Sequence, residues 1–184
     1  MNNEHALVAA LKQRDPDALS QVFTDYSNKI YRLAMSLLND PQQADGVVQE
    51  TFLALIQHID GFEERAKIGT WLYRVAYNEC MMRIRKAKPS VDLTEIDEHT
   101  EIMPTSLVDW QSIPEIVTSS QEAFEQMNRA IATLSPSLKA VFLLRDVEEL
   151  STRETAQSLE ISEAAVKVRL HRARLLLREQ LSAY

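Results

Sequence analysis

Apolar positions recur three and four residues apart in long runs, and aspartate–proline pairs punctuate them. In "RDPDAL" Asp15 stands where a helix N-cap belongs and Pro16 at the first helical position, so a helix is predicted over 16–38. "NDPQQAD" repeats the signal with Asp40 and Pro41. The helix that follows has Ala44, Val47, Val48, Thr51, Phe52, Leu55, Ile56 and Ile59 at alternating spacings of three and one, a buried stripe. Gln42, Asp45, Gln49, Glu50 and Gln57 fall on its other face, and "DGF" at 60–62 stops it. A loop, "EERAKIG", leads into "TWLYRVAYNECMMRIRKAK", a helix that closes before Pro89. A short helix over 4–14 precedes all of these. Trp71, Leu72, Val75 and Ala76 are expected to pack inside.

Near the other end, "LSTRETAQSLEISEAAVKVRLHRARLLLREQL" carries a second set of signals. Ser151 and Glu154 have capping-box spacing and open a short helix to Leu159. "EIS" makes a tight turn, and Ser162 caps a longer helix. There Val166, Leu170, Ala173, Leu177 and Leu181 lie within about 80° of one another at about 100° per residue, an inward stripe. Lys167, Arg174 and Arg178 lie on one flank, Arg169 and Arg172 on the other, with His171 opposite. Two short helices, a tight turn and a basic second helix have the form of a helix-turn-helix.

Charge sharpens the division. The chain of 184 residues has formal net charge −7. Residues 1–90 hold 11 basic and 11 acidic residues, and 121–184 hold 9 of each. Residues 91–120 hold 7 acids and no base, so the whole excess sits there. That stretch has two of the six prolines, with Pro89 just before it, and no sustained period, which reads as an acidic linker of about 30 residues. Leu93, Ile96, Leu107, Val108 and Trp110 suggest that it docks. The expected architecture is therefore all-α: a domain at 1–90, a linker at 91–120, and a helix-turn-helix domain at 121–184. Each domain alone is small for a self-sufficient core.

The local asymmetry also decides the partner class. No acid occurs from Ala164 to Arg178, so the last helix offers bases to a polyanion. Arg74, Arg83, Arg85, Lys86 and Lys88 interleave with Trp71, Tyr73 and Tyr77, a mixture that suits single-stranded nucleic acid. No apolar run reaches membrane-span length, and no signal-peptide pattern opens the sequence. The single cysteine, Cys80, lies within an apolar helical pattern; it reads as packing and suits a reducing cytoplasm. The four histidines are scattered without metal-ligand spacing, and no glycine-rich phosphate loop occurs, so no enzyme, metal or cofactor is expected.

The order of parts resembles a small bacterial sigma factor of the extracytoplasmic-function group within the sigma-70 family, a promoter-recognition subunit of RNA polymerase. "DPQQADGVVQETFLALI" is similar to the helix by which that group grips the beta-prime clamp of core polymerase. "GTWLYRVAYNECMMRIRK" is similar to its segment that melts and reads the minus-ten element. The stretch from Leu134 to Leu181 is similar to its minus-thirty-five domain.

The resemblance implies roles at matching positions. Asp45, Gln49, Glu50 and Leu53 match polymerase-binding positions. Phe62, Arg65 and Lys67, in a loop that captures a flipped base, go with Arg74, Tyr77, Asn78, Arg83, Arg85 and Lys86 in minus-ten DNA binding. Lys167, Val168, His171 and Arg172 match major-groove reading positions; Arg153 and Arg169 match phosphate contacts, and Arg174 is counted with them. The implied partners are core RNA polymerase through the beta-prime clamp and beta flap, promoter DNA, and an anti-sigma factor that clamps both domains; the implied linker path runs toward the active-site and RNA-exit channels.

The chain departs from the family pattern at Gly46, at "KIGTWL", at Met82, at Glu160 where glycine is usual, and at Val168. An interior-helix glycine at 46 costs about 1 kcal/mol, and a left-handed Glu160 is strained. The alternative reading is a helix-turn-helix regulator that binds duplex DNA without polymerase. It accounts for 121–184 and leaves the first domain unexplained.

Overall fold

The computed structural model describes residues 3–87 and 121–182. The acidic linker and its apolar positions, and Lys88, lie outside the described residues. Among the described residues every regular element is helical: α1 (Asn3–Lys12), α2 (Pro16–Leu38), α3 (Pro41–His58), a 3-10 turn (Ile59–Gly61), α4 (Ile68–Ala87), α5 (Gln121–Thr133), α6 (Pro136–Phe142), a π turn (Leu143–Val147), α7 (Thr152–Leu159) and α8 (Glu163–Ser182).

Local chemistry sets most of these boundaries. The Asp15 carboxylate accepts from the Asp17 N–H at 2.9 Å, and Asp40 accepts from Gln42 and Gln43 at 2.9 and 3.1 Å. Both satisfy first-turn donors that have no partner within the helix. Asn39, left-handed at φ 53°, ends α2 and returns its N–H to Met35. The Ser151–Glu154 capping box is closed in both directions, at 2.8 and 3.2 Å, and the Ser162 hydroxyl accepts from Ala165 at 3.1 Å.

One boundary has a tertiary cause. Helix α4 begins at Ile68, two residues before the expected start at Thr70, because the Ile68 N–H donates to the Glu4 carboxylate of α1 at 2.6 Å. Two glycines let neighbours approach. A Cβ on Gly69 would lie 2.5–2.8 Å from the Tyr26 phenol, and one on Gly46 would lie 2.8 Å from the Arg83 guanidinium. The propensity lost at Gly46 is thus matched by a close Arg83, which donates to the Gln43 carbonyl at 2.8 Å.

The stripes fill one continuous core. Val22, Ile30 and Leu33 of α2 meet Val47 and Leu55 of α3 and Leu72, Ala76 and Cys80 of α4. Leu138, Val141 and Leu144 meet Val166, Leu170 and Leu177. Three expectations need correction. Ile56, counted in the α3 stripe, is 44% exposed, because α2 and α4 cover only the line of Ala44, Val47, Thr51 and Leu55. Trp71 is half-buried, its ring edge-to-face with Phe62, and Val75 is also only half-buried.

The two helical groups pack on each other, α4 against α7 and α2 against α6. The buried Ser158 hydroxyl donates to the Thr70 carbonyl at 3.2 Å. Lys139 is only 9% exposed and spans the groups, donating to the Ser36 and Ala132 carbonyls at 3.1 and 3.3 Å. Burial lowers its pKa. No helix among the described residues is long and apolar enough to cross a membrane.

Candidate nucleic-acid interface

Three surfaces carry the residues singled out in the sequence. On α3, Asp45, Gln49, Glu50 and Leu53 are all exposed. Leu53 is 48% exposed and Ile56, one helical turn on, 44%; Phe23, also exposed, meets the Phe52 ring of the same helix at 4.8 Å. Phe23 and Phe52 were not picked out as surface residues. Helical spacing offered no signal for Phe23, which at about 100° per residue falls between the buried Ile30 and Ala34.

The second surface surrounds the loop between α3 and α4. Phe62, Arg65, Trp71 and Arg74 line one cavity of about 590 Å³, with His58, Glu63 and Glu64 at its edge. The loop is held from behind by Lys12, which donates to the Phe62 carbonyl at 2.8 Å. Arg65 pairs with Glu63 at 2.6 Å. At 100° per residue, Trp71, Arg74, Asn78 and Arg85 share one side of α4, and Arg83 falls opposite. There Arg83 binds Glu79 and Gln43, so it is not brought to the cavity side. Lys86 lies beside Arg83 in a groove with Leu37, Leu38 and Pro136. Tyr77 is half-buried; burial raises its pKa, and the charges of Arg169 and Arg85 oppose that rise.

Lys67 is turned away from the cavity toward α7, where it pairs with Glu154 at 2.7 Å. That contact, then the bond with Ser151, holds the Glu154 carboxyl down to about 2, and the Glu154 contact in turn raises Lys67. Cys80 is fully buried and its thiol is pushed up to about 12 by burial, which leaves it protonated and unreactive.

The third surface is α8. Val166, Leu170, Ala173 and Leu177 face inward, as their spacing requires. Lys167 and Arg153 are exposed, and Val168, Arg169, His171 and Arg172 are half-exposed. Arg174 differs from this set: it makes a two-pronged contact with Asp146 of the π turn at 2.7 and 3.0 Å and braces the domain. Glu160 takes the left-handed conformation at φ 56°, as the turn demands, and its carboxylate accepts from Asn78 at 3.1 Å. Leu175, Leu176 and Val147 are 39–47% exposed, a second apolar area that the sequence reading did not name.

The comparisons with known proteins agree in order and extent. The family described as sigma-70 region 2 matches residues 22–89, and that described as sigma-70, region 4 matches residues 124–177. The chain is 34% identical over 176 residues to the "ECF RNA polymerase sigma factor SigW" of Bacillus subtilis (strain 168), covering 95% of this chain and 94% of that one. It is 28% identical over 181 residues to the "ECF RNA polymerase sigma-E factor" of Haemophilus influenzae, covering 97% and 95%. In fold it is similar to CnrH, solved in complex with the cytosolic domain of CnrY, at TM-score 0.70 and 22% identity over 99% of both chains. It is also similar to the sigma factor RpoE of Bartonella quintana, solved with the anti-sigma factor NepR, at TM-score 0.63 and 20% identity, covering 89% and 96%.

Proposed function

The chain belongs to the sigma-70 family, in its extracytoplasmic-function group, and on that footing we propose how its surfaces divide the work of a promoter-directing subunit of RNA polymerase. The protein binds core polymerase, directs it to particular promoters and helps open the DNA. The observation that carries this is the ordered pair of sigma-70 regions, 2 then 4, on one chain. A free-standing regulator has use for the second alone.

In this reading residues 1–90 bind polymerase and the minus-ten element, 91–120 form the linker, and 121–184 read the minus-thirty-five element. Asp45, Gln49, Glu50 and Leu53, with the neighbouring Phe23 and Ile56, dock on the beta-prime clamp: apolar contact supplies affinity and the rim of polar groups sets register. The cavity beside Phe62, Arg65 and Arg74 receives a base turned out of the melted strand. Extrusion costs a few kcal/mol, and a preformed cavity with a ring on one wall and guanidinium groups nearby offsets it.

Lys167, Val168, His171 and Arg172 read base edges in the major groove. Arg153 and Arg169 contact phosphates, and Val168 favours a thymine methyl. The second exposed apolar area, at Leu175 and Leu176, suits the beta flap. An anti-sigma factor is the further expected partner, and the work is done in the bacterial cytoplasm, at the nucleoid.

The test is transcription by purified chain and core polymerase on a genomic promoter library. Initiation from a defined promoter set is expected, and none with either component alone. An active core that gives no promoter-specific transcript with this chain refutes the assignment.

A further inference from the structure

The loop beside the Phe62–Trp71 cavity is gripped from one side by the first helix and its exit. Glu4, near the start of α1, accepts from the Ile68 N–H at 2.6 Å, where the loop ends. Lys12, the last residue of α1, donates to the Phe62 carbonyl at 2.8 Å, where the loop begins. Arg14, just past the helix, donates to the Ile56 carbonyl and the Asp60 carboxylate at 2.5 and 2.6 Å. Between these ends, His5 meets the Glu64 carboxylate.

Glu4 and Lys12 stand about 12 Å apart along the helix axis, at 1.5 Å per residue. The helix is itself anchored: it packs on α2 and the 3-10 turn, with Val8 and Leu11 buried. One short rod therefore holds both ends of the loop. Glu64 sits at φ 56°, a left-handed conformation that strains any residue but glycine and persists where its surroundings fix it. The cavity wall is formed by Phe62, Arg65, Trp71 and Arg74, whereas Glu4, Lys12 and Arg14 lie behind it and reach it through the loop backbone.

We propose that α1 positions the base-capture loop, and that Glu4, Lys12 and Arg14 are positioning residues that determine which base the cavity prefers. The inference rests on the base-capture reading given above. The Lys12 bond fixes the Phe62 peptide plane, and with it the direction in which the ring leaves the backbone. The Glu4 bond fixes the entry into α4, from which Trp71 and Arg74 project. A site discriminates only while its walls are held to within about 0.5 Å. Loosening either end lets the ring and the guanidinium groups adapt to any base, so capture continues and preference is lost.

The test is core-dependent transcription from templates in which each minus-ten and each minus-thirty-five position is varied in turn. E4A/K12M removes both grips, E4Q/K12R keeps an acceptor and a donor, and Q13A alters an exposed position of the same segment. The expected result for E4A/K12M is about tenfold less preference at one minus-ten position, the scale of loss that follows a small misplacement. Preference at the minus-thirty-five element should stay, E4Q/K12R should recover the wild-type pattern, and Q13A should match it. K12M alone should show a smaller loss at the same position, which decides the matter where the double variant melts below the assay temperature. Unchanged minus-ten preference in E4A/K12M and K12M, or an equal fall at both elements, overturns the inference. R65A/R74A tests the cavity separately: if it keeps full minus-ten preference, the base-capture reading falls, and if it loses preference while the α1 variants keep theirs, the inference alone falls.

Discussion

Glu154 carries two structural duties that mutation and pH can separate. It closes the capping box of α7 on Ser151 and pairs with Lys67 across the interface. Its carboxyl is held at about 2, against an ordinary 4.5, first by the Lys67 contact and then by Ser151. A carboxyl depressed in the folded state stabilises it above the unfolded value, and that contribution is lost as pH falls through the folded one. The window therefore runs from about pH 4.5 down to about 2.

Taken at face value such a depression implies about 3 kcal/mol. Lys67 is 67% exposed, so its share is screened to between roughly 0.2 and 1 kcal/mol. The cap contributes about 1 kcal/mol. E154Q keeps a capping-box acceptor and loses the ion pair, so it should cost about 0.5 kcal/mol. E154A loses both and should cost about 1.5 kcal/mol. For a chain of this length that is roughly 1–2 °C and 3–6 °C in melting temperature.

Thermal melts of wild type, E154Q, E154A, K67M and K67M/E154Q, from pH 7 to pH 2, check this. K67M and E154Q should each cost the same and fail to add in the double variant. The E154A deficit should shrink through the stated window. A deficit unchanged from pH 7 to pH 2, or full additivity of K67M and E154Q, refutes the reasoning.

Three further outcomes follow from the same structure. Gly69→Ala puts a methyl against the Tyr26 phenol and should destabilise by about 1–3 kcal/mol; in a Tyr26→Leu background the penalty should vanish, and melts of the four chains decide it. Cys80 should resist thiol reagents at pH 8 in the native chain and react on denaturation, because its thiol is buried and pushed up to about 12; rapid native labelling would contradict the packing. Arg172→Ala should weaken discrimination between matched and mismatched upstream elements by about 1–3 kcal/mol; unchanged discrimination in core-dependent transcription removes Arg172 from the reading set.

Features that depend on neighbours three or four residues away were legible in the order of residues alone. Asp15, Asp40, Ser151 with Glu154, and Ser162 set helix starts because a cap bonds within its own first turn. The α8 stripe was legible because helical geometry turns spacing directly into a face. Which partner each charge takes, and which part of each stripe a neighbour covers, came from the packing of the helices. Glu4 starts α4 from 64 residues away, Arg83 turns to Gln43, Arg174 braces Asp146, and Ile56 stays exposed because none of the described helices covers it. Periodicity gives a side chain its direction. What lies in that direction is fixed by how the helices assemble, and so the acids of the second domain meet the donors of the first only once the chain is folded.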